Sequence, residues 1–335
     1  MINSMTAKIG GMLEGAEKPS TSIDIAACII DLSEEVAEPD PVLGIGDIPV
    51  FSRGNISVIG GAAKSRKTFL VCHLAGMFLE GNASGTIVIL DTEMARFHTM
   101  RTARRIHRIA GFDTNKNNSR LVVLSLREQS TEERTDVLKQ VFAIWKPALV
   151  FVDGIRDLVK DFNSPDESSR MINLLMRLSS QYNCHICSVL HENKIGGQLR
   201  GHLGTEVVNK SKTVIGVSVS DGISTVKPLF CRNRPFDEFH FTINEEGLPD
   251  LCGEPAKPAK TDRLKELFDE LLPATVTLSY ADLTSKVIEK RGIQKRGAEK
   301  NIKQALDGNI ITKNHAGMYY SNENNTTVQD DELPF

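Results

Sequence analysis

The apolar run "ISVIG" (56–60) and the turn "GAAKSRKT" (61–68) decide how this sequence folds. After the turn comes an amphipathic segment with Phe69, Leu70, His73, Leu74, Met77 and Phe78. Strand, turn and helix in that order fit the phosphate-binding pattern G-x-x-x-x-G-K-[ST] except at Arg66, which stands where the second glycine belongs. The amides of such a turn, with the N-terminus of the helix it opens, cradle a β-phosphate. Lys67 would meet the β- and γ-phosphates, and the Thr68 hydroxyl would ligate Mg2+. The expected cradle is Gly61, Ala62, Ala63, Lys64, Ser65, Arg66, Lys67, Thr68 and Phe69, with ATP and Mg2+ as cofactors. Glycine permits left-handed backbone and close approach, so Arg66 either strains the loop or uses its guanidinium. The loop is already cationic through Lys64 and Lys67, which favours a guanidinium on phosphate or on a neighbouring subunit. Read alone, the stretch also fits a basic turn that binds nothing. The rest of the chain separates the two.

Outward from the turn, short apolar runs alternate with helix-length segments. The runs are "TIVILD" (86–91), "LVVLS" (121–125), "ALVFVD" (148–153), "HICSVL" (185–190) and "TVIGVSV" (213–219). Amphipathic stretches cover 68–80, 94–110, 131–145 and 166–182. This alternation predicts βαβ units and an α/β fold with a mostly parallel sheet. "STVKPLFCR" (224–232) and "EFHFTI" (238–243) read as antiparallel strands added at one edge. Ligands of open α/β sheets collect at the carboxyl ends of the strands. Lys67, Glu93, Asp153 and the group His191, Glu192 and Asn193 all follow strand ends. Asp153 closes a buried strand, where an acid holds the water shell of Mg2+. Gly154 comes next, so no adjacent glutamate is available as a base, and Glu93 is the alternative.

Residues 1–40 form an acidic arm with one short helix expected near 22–33, and the ATPase core is expected over 41–252. "GEPAKPAKTD" (253–262) is a Pro/Ala/Lys linker. Three helices (261–272, 279–291, 295–307) and two short strands follow, which predicts a winged helix over 263–321. A disordered acidic tail is expected over 322–335. Cys184 and Cys187 have zinc-like spacing but no second pair, and they sit in an apolar strand, so buried strand cysteines are expected. No secretory leader and no apolar stretch of about 20 residues appears, so the expectation is a cytosolic protein without membrane contact.

Residues 41–251 resemble the RecA superfamily, and within it the RepA-like branch of hexameric replicative helicases and mobile-element ATPases. The resemblance rests on "GAAKSRKT", "LDTEM", "LVFVDGIRDL", "LHENK" and "CRNRPFDEF". It implies that Glu93 polarises the attacking water and that His191 senses the γ-phosphate. It also implies that Arg232 or Arg234, with Arg200 behind them, reaches a neighbouring subunit's nucleotide, and that the chain forms a homo-oligomer, a hexameric ring. "GIRDLVKDFNSPDESSR" and "NKIGGQLRGHLG" occupy the positions of the family's DNA-contacting loops. Arg156, Lys160, Lys194 and Arg200 are their phosphate partners. Few aromatics accompany them, so single-stranded DNA would be held by its backbone rather than by stacking. "RFHTMRTARRIHRIAG" (96–111) adds Arg96, Arg101, Arg104, Arg105 and Arg108 on a helix as further bases for nucleic acid, and a solvated helix that pairs with the acidic arm of a neighbour fits equally well.

Lys295, Arg296, Lys300 and Lys303 mark the basic side of a recognition helix, although winged helices also serve as protein-binding modules. Asp330, Asp331, Glu332, Leu333, Pro334 and Phe335 resemble the tail of bacterial single-stranded-DNA-binding proteins. That resemblance implies docking on host proteins that recognise such tails; folding back on the basic helix 286–303 is the internal alternative. The implied function is a DNA-dependent ATPase, a helicase or replication factor of a mobile element. An ATP-switched DNA-binding protein with weak hydrolysis is the alternative.

Overall fold

The computed structural model describes residues 25, 28–81, 84–193, 198–253, 260–273 and 276–322. The chain divides into two compact units, Met1–Gly253 and Glu254–Phe335.

The first unit is built on a nine-stranded sheet. Its parallel strands are β3 (Asn55–Gly61), β4 (Ile87–Asp91), β5 (Leu121–Ser125), β6 (Leu149–Asp153), β7 (His185–His191) and β8 (Thr213–Ser220). Three antiparallel strands extend it at one edge: β9 (Ile223–Cys231), β10 (Phe239–Ile243) and β11 (Pro249–Cys252). The order across the sheet is β11-β10-β9-β8-β3-β7-β6-β4-β5. A small hairpin of β1 (Pro41–Ile45) and β2 (Ile48–Ser52) stands beside it.

Side chains alternate between faces with the period of two that a strand imposes. Ile59, Ile87, Ile89, Leu149, Phe151 and Val189 share one core with α1 (Lys67–Glu80) and α2 (Arg96–Ile109). Val58, Val88, Leu90, Val150, Val152 and Ile186 share the other with α3 (Thr131–Trp145), α4 (Pro165–Gln181) and α5 (Gly201–Lys210). Helices therefore cover both faces, and the nearly unbroken apolar strands of the centre follow from that. Capping fixes where helices begin. Ser130 accepts from the Glu133 amide while Glu133 accepts from the Ser130 amide, a reciprocal capping box. Ser164 caps α4 with Pro165 as its first helical residue.

Several elements depart from the sequence reading. The β1–β2 hairpin, β11 and α5 were not expected. The helix expected near 22–33 does not run through 29–33, and its earlier part lies outside the described residues. Cys184 and Cys187 are buried in opposite cores, because three residues along a strand reverse the direction of the side chain. Among the described residues no helix is long and apolar enough to cross a membrane.

The second unit contains α6 (Lys260–Leu271), α7 (Tyr280–Arg291) and α8 (Lys295–Asp307), then a hairpin of β12 (Ile311–Lys313) and β13 (Tyr319–Ser321). Leu278 adds a bridge to Tyr319. Its own core gathers Leu264, Phe268, Leu283, Val287, Ile302 and Ile311. Arg296, Lys300 and Lys303 fall on the exposed side of α8, opposite buried Ala298, Ile302 and Ala305, and Lys295 is exposed at its start.

Candidate nucleotide site

Strand β3 ends at Gly61, where any side chain would collide with the backbone, since a Cβ would lie 2.2 Å from the Val217 oxygen. The turn that follows has two non-glycine residues in the left-handed region, Lys64 (φ 64°) and Arg66 (φ 68°). Arg66 occupies the N-cap of α1 yet makes no side-chain capping bond. Its guanidinium instead donates from Nη1 to the Gly222 oxygen at 2.7 Å and to Ser224 Oγ at 3.2 Å. In this conformation it ties the turn to the β8–β9 hairpin of its own chain. The same left-handed geometry that glycine would adopt is kept, and the side chain is turned to a second use.

Lys67 is almost fully buried. Its Nζ donates to the Gly61 oxygen (2.9 Å) and the Ala62 oxygen (2.8 Å) and lies 3.1 Å from His191 Nδ1. Burial holds its pKa below the usual lysine value, against the pull of Asp153, Glu93 and Glu192. Thr68 Oγ1, in the first turn of α1, donates to Asp153 Oδ2 at the end of β6 at 2.8 Å, although β7 separates β3 from β6 in the sheet. Desolvation, with the like charges of Asp91 and Glu93 adding to it, pushes Asp153 up to about 6 against the Thr68 hydrogen bond. A hydroxyl and a carboxylate oxygen side by side form the oxygen donor set that a hard divalent cation prefers, so these residues fit Mg2+.

On the other wall, Glu93 Oε1 lies 3.6 Å from His191 Nε2, and that contact, chiefly its hydrogen bond, holds Glu93 below the usual carboxylate value. His191 therefore lies between the two groups, and the tautomer that carries its proton on Nε2, towards Glu93, leaves Nδ1 to accept from Lys67. Buried Asp91 fixes the loop that carries Glu93. It accepts from the amides of Glu93 (3.1 Å) and Met94 (2.9 Å) and from the Thr99 hydroxyl (2.8 Å). The sequence reading passed over Asp91, although an aspartate two residues before Glu93 at a strand end is the signal for such a turn.

Lys67, Thr68, Glu93, Asp153 and His191 line one cavity of about 560 Å3 at the carboxyl ends of the strands. Helix α2 supplies part of its wall through His98, Arg101, Thr102 and Arg105. Arg105 stacks 4.1 Å over the Phe69 ring and donates to the Gly247 oxygen at 2.7 Å. One side of α2 thus faces the cavity.

The remaining expected residues lie elsewhere. Arg232 and Arg234 are exposed near the end of β9, level with the start of β8, away from this chain's own cavity. Arg156 and Arg200 converge on Phe162, at 5.0 and 4.9 Å from its ring, so an aromatic does accompany them. Lys160 is paired with Glu132. Lys194 and the tail residues Asp330–Phe335 lie outside the described residues.

The sequence matches the family described as "AAA domain" over residues 27–197, just over half of the chain. The chain belongs to the AAA-domain family. Within this AAA domain fall the turn 61–68, Glu93, Asp153 and His191. A search of curated proteins gave no match. Among solved structures, the fold is similar to that described as "Crystal structure of the RadB recombinase", with a TM-score of 0.44 and 17% identity, over 59% of this chain and 90% of that one.

Proposed function

We propose that this AAA-domain protein is a DNA-dependent ATPase that acts as a ring of identical chains, a helicase or replication factor of a plasmid or other mobile element. The observation that carries the ATPase reading is the convergence of Lys67, Thr68–Asp153 and Glu93–His191 on one cavity. Phosphoryl transfer asks a protein for positioning and charge, and this set supplies both. Lys67 leaves its carbonyl partners for the β- and γ-phosphates. Thr68 and Asp153 would hold Mg2+, which neutralises charge on the phosphate oxygens when bound. Glu93, kept ionised by His191, orients the attacking water and takes its proton. His191, touching both Lys67 and Glu93, reports whether the γ-phosphate is present.

DNA contact is supported by the exposed pair Arg156 and Arg200 and by the basic stripe of α8, in a unit we read as a winged helix. Assembly is supported by the exposure of Arg232 and Arg234, which cannot serve their own cavity but suit a neighbour's. The C-terminal hexapeptide suits capture of host proteins that bind single-stranded-DNA-binding-protein tails, and the setting is cytosolic. The second reading, an ATP-switched DNA-binding protein with weak turnover, is favoured by arginine at the position of the second glycine.

Steady-state hydrolysis with and without single-stranded DNA tests the proposal. Parental turnover that rises with DNA and is lost in Glu93→Gln and Lys67→Ala is the expected result. Tight ATP binding with negligible turnover supports the switch instead. Undiminished ATP affinity in Lys67→Ala overturns both.

A further inference from the structure

Phe162 and the two arginines that flank it are joined to the cavity by short, specific contacts. Arg156 Nη1 lies 3.5 Å from Asp157 Oδ1, and the other carboxylate oxygen, Oδ2, accepts from Thr92 Oγ1 at 2.9 Å. Thr92 is buried and directly precedes Glu93. Its amide donates to the Asp153 oxygen at 3.2 Å, so the ends of β4 and β6 are closed on each other at this residue. Gly154 makes the closure possible. At φ 106° its missing Cβ leaves room for Thr92 Oγ1, which would otherwise stand 2.0 Å away. Arg134 fixes the far side of the turn, donating to the oxygens of Leu126, Arg127 and Asp157. On the second branch, the Arg200 amide donates to the His191 oxygen at 3.0 Å. Each arginine on Phe162 is therefore one or two contacts from a member of the Glu93–His191 pair.

We infer that Thr92 and Asp157 are positioning residues through which an anionic ligand on Arg156 and Arg200 sets the placement of Glu93. This rests on the ATPase reading for its kinetic consequence. A phosphate on Arg156 competes with Asp157 for the guanidinium. The carboxylate then turns more fully to Thr92, and the loop holding Glu93 shifts against the cavity. Nothing in this chain of contacts needs a large rearrangement, since every link is a side chain or turn within one unit.

The test uses the full chain with a single-stranded oligothymidylate as probe. Thr92→Val keeps the shape and removes the hydroxyl; it should lower kcat roughly ten- to a hundredfold with KM little changed, the upper figure being that of a catalytic group misplaced by about 1 Å. Thr92→Ser should recover most of that loss, which a purely volumetric role would not predict. Asp157→Asn should bring the ratio of oligothymidylate-stimulated to basal kcat down towards one. Hydrogen exchange of the 91–95 amides, measured without nucleotide, reads the same link independently of turnover. The oligothymidylate should change it in the parent and not in Asp157→Asn. Parental kcat in Thr92→Val, or an oligothymidylate response that persists in Asp157→Asn, overturns the inference. So does an exchange pattern in the parent that the probe leaves unchanged. Loss of the ATPase reading is distinguished by Glu93→Gln: turnover equal to the parent's removes that reading, while the exchange measurement still decides the link.

Discussion

Asp153 is the residue whose chemistry should be most visible in solution. Its folded pKa of about 6 lies above the ordinary 3.8, so the native state binds the additional proton between these values. Stability of the ligand-free protein therefore falls as pH rises through that window. Asp153→Asn should remove this slope and stabilise the ligand-free protein at neutral pH, on the order of 1–3 kcal/mol. Urea unfolding at pH 5 and pH 7.5 measures it, and equal slopes in parent and variant would refute the assignment. The same group should set the acid limb of kcat/KM near pH 6, because Glu93 stays ionised well below that. Arg66 gives a second test. A non-glycine residue in the left-handed region costs roughly 1–3 kcal/mol, here offset by the bonds to Gly222 and Ser224. Arg66→Gly removes strain and tether together and should be near neutral. Arg66→Ala keeps the strain and loses the tether, so it should be less stable than Arg66→Gly by about 1 kcal/mol. Equal stability of the two would mean that the backbone there is unstrained.

At the scale of elements, α2 is where the sequence left the choice open. Its arginines, Arg96, Arg101, Arg104, Arg105 and Arg108, fit a nucleic-acid contact or a solvated stripe, because charge on a helix carries no label for what it faces. Packing of α1 on α2 decides the matter: Gly76 is small enough to let Ile109 approach, with 2.3 Å to a Cβ it lacks. That contact swings Arg101 and Arg105 over the cavity. Arg105→Ala should weaken ATP binding several-fold while leaving Glu93-dependent chemistry in place, measured as a rise in KM without a matching fall in kcat. The central strands were legible because each is apolar on both faces, and the turn at 61–68 because a strict spacing accompanies it. Helix α5 was not, since Gly201 and Gly204 argue against a helix; Gly204 is required because the Leu199 backbone lies 2.5 Å from where its Cβ would be. Strand β11 and the β1–β2 hairpin are short and lack the long-range periodicity that marked the rest. Thr92 was hidden for another reason: its role exists only when β4 and β6 are neighbours.

For the whole molecule, the proposed ring makes a prediction that no single site can. Arg232→Ala and Arg234→Ala should leave ATP binding nearly intact, and one of them should cut turnover sharply. Mixing that variant with Glu93→Gln should restore part of the activity, because some interfaces then combine two intact halves. No recovery in rings shown to be mixed would refute action in trans. The β8–β9 hairpin has a further consequence here. Its turn is held by Arg66 beside one nucleotide cavity, and its other end, roughly 30 Å along β9, carries Arg232 to the opposite ends of the strands. In the proposed ring each chain would keep half of two sites at separate places, and an isolated chain would own no complete one. Specific activity per chain should then fall on dilution, and an open row of chains should always leave one terminal site idle until the row closes on itself.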